Sequence, residues 1–277
     1  WEYHDDNKES ISKQYAAAGG VTHRYLFKNN ASLKTTLATT YSQVDVDENV
    51  YDDDLASSKF MDFKLRQTNI VATSAYNRKF SSRFTNKTGI TYTRMFYNMD
   101  LNLAPYENQP LQNISAGDGS TSLISAYTNS VIGLSDRVSM NLGVNGQLLT
   151  LSNKWTIEPR ASIKWQTTSK SSLALAYGLH SRMEKMDVYF VKGGRAGNEL
   201  VNKDLGFTKA HHVMLSYNYR LSDNMSLRVE PYFQYLYNVP VVADSSYSVL
   251  NRRTFYVEEA LVNKGNGRNV GVDITLE

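Results

Sequence analysis

The chain has no cysteine, which excludes a disulfide-stapled secreted fold and a cysteine-based metal site. Long hydrophobic runs are also missing. No stretch approaches the roughly 20 consecutive apolar residues that a transmembrane helix needs, and the mean hydropathy is −0.44, so a helical membrane protein is excluded. A membrane barrel is not, because lipid-facing and lumen-facing residues alternate along its strands and average to the hydropathy of a soluble protein. Neither sign of charge dominates: 30 Lys and Arg stand against 27 Asp and Glu, a net charge of +3. With no Lys/Arg cluster or basic helix, nucleic acid is excluded as a partner. No segment keeps a 3.6-residue apolar period for more than a turn or two, so no core helix is predicted.

What the chain does have is aromatic content of 12%, with 19 tyrosines, which suits interface belts where a ring lies in apolar surroundings and its hydroxyl in water. The segment from Trp155 to Trp165 carries the pattern most fully. Its odd positions are Trp155, Ile157, Pro159, Ala161, Ile163 and Trp165; its even positions are Thr156, Glu158, Arg160, Ser162, Lys164 and Gln166. Successive side chains of a strand point to opposite faces, so one face is apolar and the other charged. Ten residues at about 3.3 Å each, tilted by about 40°, rise roughly 25 Å, the height of a barrel's lipid-facing band.

The rest of the chain repeats this pattern. Strands are predicted at about 12–27, 31–46, 63–79, 83–99, 121–135, 137–151, 154–167, 171–187, 209–221, 225–242 and 268–277. Alternate junctions are tight and built of turn residues, as at Lys28-Asn29-Asn30, Phe80-Ser81-Ser82, Asp136, Thr168-Ser169-Lys170 and Ser222-Asp223-Asn224. The others (47–62, 100–120, 188–208 and 243–267) are long and polar, apart from the short Ser152-Asn153 link. An antiparallel meander with turns at one end and elaborated loops at the other gives this parity, as in outer-membrane barrels. Two hairpins test the register. Pairing Trp165 with Leu173 and Ile163 with Leu175 keeps one face apolar, as does pairing Leu215, Tyr217 and Tyr219 with Pro231, Val229 and Leu227. Leu33, Leu37 and Tyr41 form a weaker apolar set, and 121–151 is ambiguous in face. Pro159 and Pro231 cannot donate to a ladder, so a bulge or a missing bond is expected at each.

Laid out this way, the segments EPRASIKW (158–165), SLALAYGLHSR (172–182), NKDLGFTKAHH (202–212), EPYFQYLYNVPV (230–241) and NKGNGRNVGVDITLE (263–277) resemble the C-terminal barrel of TonB-dependent outer-membrane receptors, most closely those of Bacteroidetes. The first half matches only in its rhythm of strands and loops. The resemblance implies an all-β, antiparallel up-and-down transmembrane barrel, with about eleven strands here of an expected 22. It also implies a plug domain and a TonB-engaging segment, neither of which is in this sequence. With no signal peptide at Trp1 and a last strand running to Glu277, 1–277 is expected to be part of one barrel domain.

Candidate chemistry is sparse. Asp45-Val46-Asp47-Glu48-Asn49, continuing to Asp52, Asp53 and Asp54, opens like a calcium loop, but Val50 stands where an EF-hand needs glycine and Ala56 where it needs glutamate. A solvated extracellular loop is the expected reading. His211 and His212, adjacent on a strand, point to opposite faces and cannot share an ion without a bulge. Glu158 and His180, paired by the predicted register, are the only proton-transfer couple on offer for a barrel hydrolase. Glu158, Arg160, Lys164, His180, Arg228 and Glu230 are expected as lumen wall, together with Arg182. Gly193-Gly194 and Gly265-Asn266-Gly267 lie in loops and are no phosphate cradle.

The resemblance implies a non-enzymatic receptor in the bacterial outer membrane. It would capture a nutrient on its extracellular loops and import it through a plugged barrel with TonB-transmitted energy. Outer-membrane lipid, the TonB complex (through a part outside this sequence) and a surface lipoprotein are the implied partners. No cofactor is implied. Tyr106, Arg195, Tyr247, Arg252, Arg253 and Tyr256 are the loop residues expected to contact ligand. A passive porin or adhesin barrel, an outer-membrane hydrolase and a soluble carbohydrate-binding sandwich stay open as alternatives at this point.

Overall fold

The computed structural model describes residues 7–193, 199–243, 245, 247–251 and 256–277. Eleven strands follow one another: β1 (Lys8–Phe27), β2 (Ala31–Tyr51), β3 (Ser57–Lys79), β4 (Phe84–Leu103), β5 (Gln112–Gly133), β6 (Val138–Leu149), β7 (Lys154–Gln166), β8 (Ser171–Arg182), β9 (Thr208–Ser222), β10 (Met225–Val242) and β11 (Leu261–Leu276). They form one sheet in sequence order, each strand antiparallel to the next. This is the predicted meander. Among the described residues the sheet is open, with β1 and β11 at its two edges.

The register is the one the apolar faces require. Trp165 pairs with Leu173 and Ile163 with Leu175, and Tyr217 and Tyr219 pair with Val229 and Leu227. A shift next to the turn pairs Met225 with Ser222 where Leu221 was expected. Both prolines interrupt a ladder on one side. The β7–β8 pairing stops at Arg160, and the β9–β10 pairing skips Glu230 and Pro231, while each proline stays in register with its other neighbour. A residue without an N–H therefore fits into a sheet interior at the cost of one local break.

One face of the sheet is an apolar belt. Trp155 and Ile157 are 67% and 53% exposed on it, while Thr156 and Glu158 on the other face are 1% exposed. Leu142 and Val144 belong to the exposed set and Asn145 and Gln147 to the other, which settles the face of β6.

The largest departure from expectation is strand length. β2, β3, β4 and β5 have 21, 23, 20 and 22 residues, about twice the 9–11 that cross a bilayer. The segments 47–51, 57–62, 100–103 and 112–120, expected as loop, are strand. In these extensions the alternation changes phase. Lower on β2 the apolar residues Leu37 and Tyr41 point outward, whereas above them Val46 and Val50 are buried inward. On β3, Ile70 faces out and Phe63 and Met61 face in; on β4, Phe96 faces out and Met99, Leu101 and Leu103 face in. The outward positions at this height are Asp45, Asp47, Asp62, Lys64, Asn98 and Asp100. The outer face thus turns polar where the inner face turns apolar.

Candidate functional site

The inner face of the loop end is where the chain packs most tightly. The β8–β9 connection, 183–207, contains one helical turn, α1 (Met186–Tyr189), all four residues of which are buried. No helix is predicted from the sequence, yet Met186, Tyr189 and Phe190 stand at i, i+3 and i+4, one apolar stripe of a single turn. The stripe packs on Met95, Tyr97, Met99 and Leu149 from β4 and β6, with Leu205, Phe207, Val257 and Leu261 completing the cluster. Tyr189 is wholly buried. Its hydroxyl accepts the Glu184 N–H at 3.1 Å, and burial pushes its phenol up to about 12. Glu184 in turn accepts the Thr208 hydroxyl at 2.6 Å.

Phe190 anchors the loop to the wall. Its ring lies 4.7 Å from that of Tyr97, centroid to centroid, and occupies the space a side chain at Gly117 would need: a Cβ there would meet the ring at 2.6 Å. Beyond it the loop extends the sheet. β5 outruns β6, leaving a bare upper edge. Val191 pairs with Ser115 on that edge, the Lys192 N–H donates to the Ile114 carbonyl at 2.9 Å, and the Val201 N–H returns to Val191 at 3.0 Å. An exposed edge is thereby covered by the chain's own loop.

A second connection is tied to the first. Asn202 is wholly buried. It donates to the Glu259 carbonyl at 3.0 Å and accepts the Leu261 N–H at 2.8 Å. Asn263 accepts the Gly206 N–H at 2.8 Å and donates to the Asn238 carbonyl at 2.8 Å. A neighbouring cluster of Val46, Met61, Phe63, Leu101, Leu103 and Ile114 takes Tyr256 against it.

The expected lumen residues have distinct surroundings. Glu158 does not line open space. Its carboxylate accepts bonds from Asn145 at 3.0 Å and Arg160 at 2.8 Å, from the Ser181 N–H at 3.2 Å, and from Gln147 and the Ser181 hydroxyl. It fills the seam that Pro159 leaves unbonded, serving a β8 N–H in place of a ladder carbonyl. His180, the partner that a hydrolase reading would have required, packs its ring on His212 at 4.7 Å. His212 is held by Gln234 at 3.3 Å, itself an acceptor for Asn269 at 3.1 Å. His211 points to the opposite face, as predicted, and stacks between Tyr177 and Tyr237. Arg228 donates to Asn218 at 3.0 Å; Glu230 lies opposite Asp273; Lys164 and Arg182 are exposed.

Asp47, Glu48 and Asn49 lie within β2 and not in a loop, which corrects that part of the acidic run, while Asp52, Asp53 and Asp54 lie in the β2–β3 connection as expected. Asp47 sits directly opposite Asp62, and Lys59 bridges the two at 2.6 and 3.3 Å. Of the loop residues expected at the ligand, Tyr106 is 75% exposed on the β4–β5 loop. Tyr247 lies half-buried in the β10–β11 loop, and Arg195, Arg252 and Arg253 lie outside the described residues.

No family model matches the chain, and no curated protein does. Solved structures do. The RagAB peptide importer superposes with a TM-score of 0.61 at 13% identity over 99% of this chain and 35% of its own. The ferric-catecholate import receptor Fiu from E. coli K12 gives 0.65 at 11% identity over 98% of this chain and 45% of its own. The copper transporter OprC gives 0.68 at 9% identity over 98% and 45%. The chain spans between about a third and a half of the structures it matches. In fold, therefore, the chain resembles the β-barrel wall of these import receptors and of this transporter, the architecture that the sequence resemblance implied.

Proposed function

We propose that this chain is part of an outer-membrane import receptor, with its belt in lipid, its short turns in the periplasm and its long loops outside. Ligand would be captured at the loop end and drawn through a plugged barrel by TonB-transmitted energy. The observation that carries this reading is the pairing of an outward apolar belt with strands continuing as a water-facing wall beyond it. The inward-packed β8–β9 and β10–β11 loops narrow the mouth and give the capture surface a defined shape.

Within this proposal Tyr106 and Tyr247 belong to the ligand-contacting surface together with Arg195, Arg252 and Arg253. Tyr256, packed on the inner cluster, shapes that surface from beneath. Arg160, Lys164, Arg182, His180, Arg228 and Glu230 face the interior path. Glu158 is a positioning residue that holds the β7–β8 seam. TonB and a surface lipoprotein would be partners of the whole receptor, and the reaction class is transport, with no chemical step.

The test is uptake by cells carrying the full-length receptor, with and without functional TonB. Import that needs both the receptor and TonB is the expected result. Ligand flux that persists undiminished without TonB would move the protein to the passive-pore class. Stable folding of the full-length protein in the absence of any amphiphile would sink the membrane assignment itself.

A further inference from the structure

Between the two rims of the belt, the inward face of β2 to β7 is unevenly charged. Each of these strands is paired on both sides. Two neighbouring rows cross them. One runs Ser32, Asn77, Lys87, Asn129, Gly143, Arg160; the next, toward the loop end, runs Lys34, Ala75, Gly89, Tyr127, Asn145, Glu158. With Lys164 nearer the turn end of β7, this face carries Lys34, Lys87, Arg160 and Lys164 against the single acid Glu158. That acid is already met by Asn145, Gln147, Ser181 and Arg160.

Lys87 and Arg160 line a common hollow of about 470 Å³ in this wall. Two glycines make room for it. The Tyr127 ring lies over Gly89, where a Cβ would meet it at 2.8 Å, and the Asn129 amide lies over Gly143, where a Cβ would meet its Oδ1 at 2.6 Å. Lys87 Nζ stands 5.8 Å from the centroid of the Tyr127 ring and has no ion-pair partner among the described residues. Arg160 gives Nη2 to Glu158 at 2.8 Å, and its side chain stays half-exposed. Ser125 and Asn145, bonded to each other at 2.8 Å, complete the lining. Lys87 and Arg160 start three strand spacings apart, roughly 14 Å at about 4.8 Å each, and reach the hollow from opposite sides. Walls of one charge sign in a concave site concentrate counter-ions there.

We propose that this hollow binds an oxyanion, carboxylate or phosphate, of a solute on the interior path. Arg160 offers the N–H groups that Glu158 leaves over as a planar fork, and Lys87 acts as a point charge. Asn129 donates an amide N–H between them. Lysine and arginine lining a pore select for anions, so the hollow assigns a cargo class to the receptor proposed above and rests on that reading.

The test uses the full-length receptor in detergent at low ionic strength, titrated in a calorimeter with succinate, inorganic phosphate or the neutral isostere succinamide. Heat-modifiable electrophoretic mobility first establishes that each variant is a folded barrel; a protein that folds without amphiphile overturns the barrel reading, and the hollow with it. For folded protein, succinate or phosphate is expected to bind and succinamide is not. Lys87→Gln, three strands away from the Glu158 seam, is expected to weaken anion binding about tenfold, as is Arg160→Gln. Asn129→Asp, which sets a carboxylate between the two cations, should abolish it, and Lys170→Gln, in the β7–β8 turn, should change nothing. Binding of neither anion, equal binding of succinamide, or undiminished binding by Lys87→Gln and Asn129→Asp would overturn the hollow while leaving the import receptor standing. So would faster hydrogen exchange in the receptor's own plug as the only effect of Lys87→Gln, which would give the hollow to the plug.

Discussion

Gly117→Ala is the smallest change that should release the β8–β9 loop. The new methyl would stand 2.6 and 2.8 Å from Phe190 Cδ1 and Cγ, so the ring must leave its place between Gly117 and Tyr97. Phe190 is 6% exposed. Exposing a buried phenylalanine costs about 1.5–3 kcal/mol, and losing its ring pair about 0.5–1.5 more. The docked loop should therefore open about 2–4 kcal/mol more readily, a roughly 30- to 700-fold rise in the open population. Amide hydrogen exchange on the full-length receptor reads this directly, with faster exchange expected over 186–192 and none of it at the turn end. Phe190→Ala should give a similar rise by removing the anchor itself. The decisive measurement is the double variant, because removing the ring removes the three atoms nearest to the alanine methyl. Gly117→Ala should then cost almost nothing in a Phe190→Ala background. Additive effects, or unchanged exchange in Gly117→Ala, would show that Phe190 does not hold the loop.

Asn202→Ala should loosen two connections together. It strands a buried carbonyl and a buried N–H at about 1–3 kcal/mol each, so exchange should quicken over both 199–205 and 257–263, and a purely local effect would refute the coupling. Lys59→Gln leaves Asp47 facing Asp62 across β2 and β3, a repulsion of about 0.2–1 kcal/mol, detectable as faster exchange over 57–62. Burial works against the Asp62 carboxylate, but its bonds to Lys64 and Lys59 outweigh that and hold it below the ordinary carboxylate range. Its stabilisation is therefore full above the unfolded pKa of about 3.9 and lost as pH falls through the lower folded value. In Lys59→Gln that acid-side loss should begin at higher pH, as followed by carboxyl chemical shift. Tyr189, raised to about 12 by burial, has the opposite sign. The docked loop keeps this contribution below about pH 10 and loses it as pH rises toward 12, so the ultraviolet titration of wild type should show a late phenol that Tyr189→Phe lacks.

What the sequence made legible was whatever the lipid belt dictates. Trp155, Ile157, Ile163 and Trp165 alternate because one neighbour is hydrocarbon and the other is not. That constraint fixes strand, face and register at once, down to the pairing of Trp165 with Leu173. The breaks at Pro159 and Pro231 follow from a missing N–H and needed no structure. The loop end was less legible because its constraints are non-local. Glu158 serves Ser181, 23 positions away, and Asn202 serves Leu261, 59 positions away; neither partner is marked by spacing. The β7–β8 ladder ends at Arg160 and Gly178, before it reaches Glu158 and His180; the carboxylate turns to the seam and the imidazole to His212. Face and register do not determine which hydrogen bond a side chain completes. The segment Met186–Val191 was divided between the end of a predicted strand (171–187) and a predicted loop, whereas β8 ends at Arg182 and the segment opens with a helical turn. Its role required knowing that β6 stops short of β5.

The missed extensions of β2 to β5 have a single physical origin. A strand is recognised by apolar residues recurring on one face, and the template assumes that the face stays the same. Here Leu37 and Tyr41 give way to Val46 and Val50, a change from odd to even positions that is complete by Val46, with the ladder unbroken up to that point. In the belt the outward side meets hydrocarbon. Above it the outward side meets water and the inward side meets the packed loops, so the solvent on each face is exchanged while the backbone continues. Read with a fixed phase, Asp45, Asp47 and Asp62 look like a charged loop. Read with the phase reversed, they are the water-facing half of an ordinary strand. The reversal falls between Tyr41 and Val46 on β2, between Phe63 and Ile70 on β3, and between Phe96 and Asp100 on β4, residues that lie close to one another in the register. That common height, and not the ends of the strands, is the boundary of the apolar belt. A charged residue placed outward below it, such as Ile70→Asp, should be measurably destabilising, by less than the roughly 2–4 kcal/mol of an Arg or Lys at the bilayer midplane, and progressively less toward the interface. The same change at Asn98, above the boundary and opposite Arg66, should be close to neutral in urea unfolding from lipid vesicles, and equal costs at the two positions would erase the boundary.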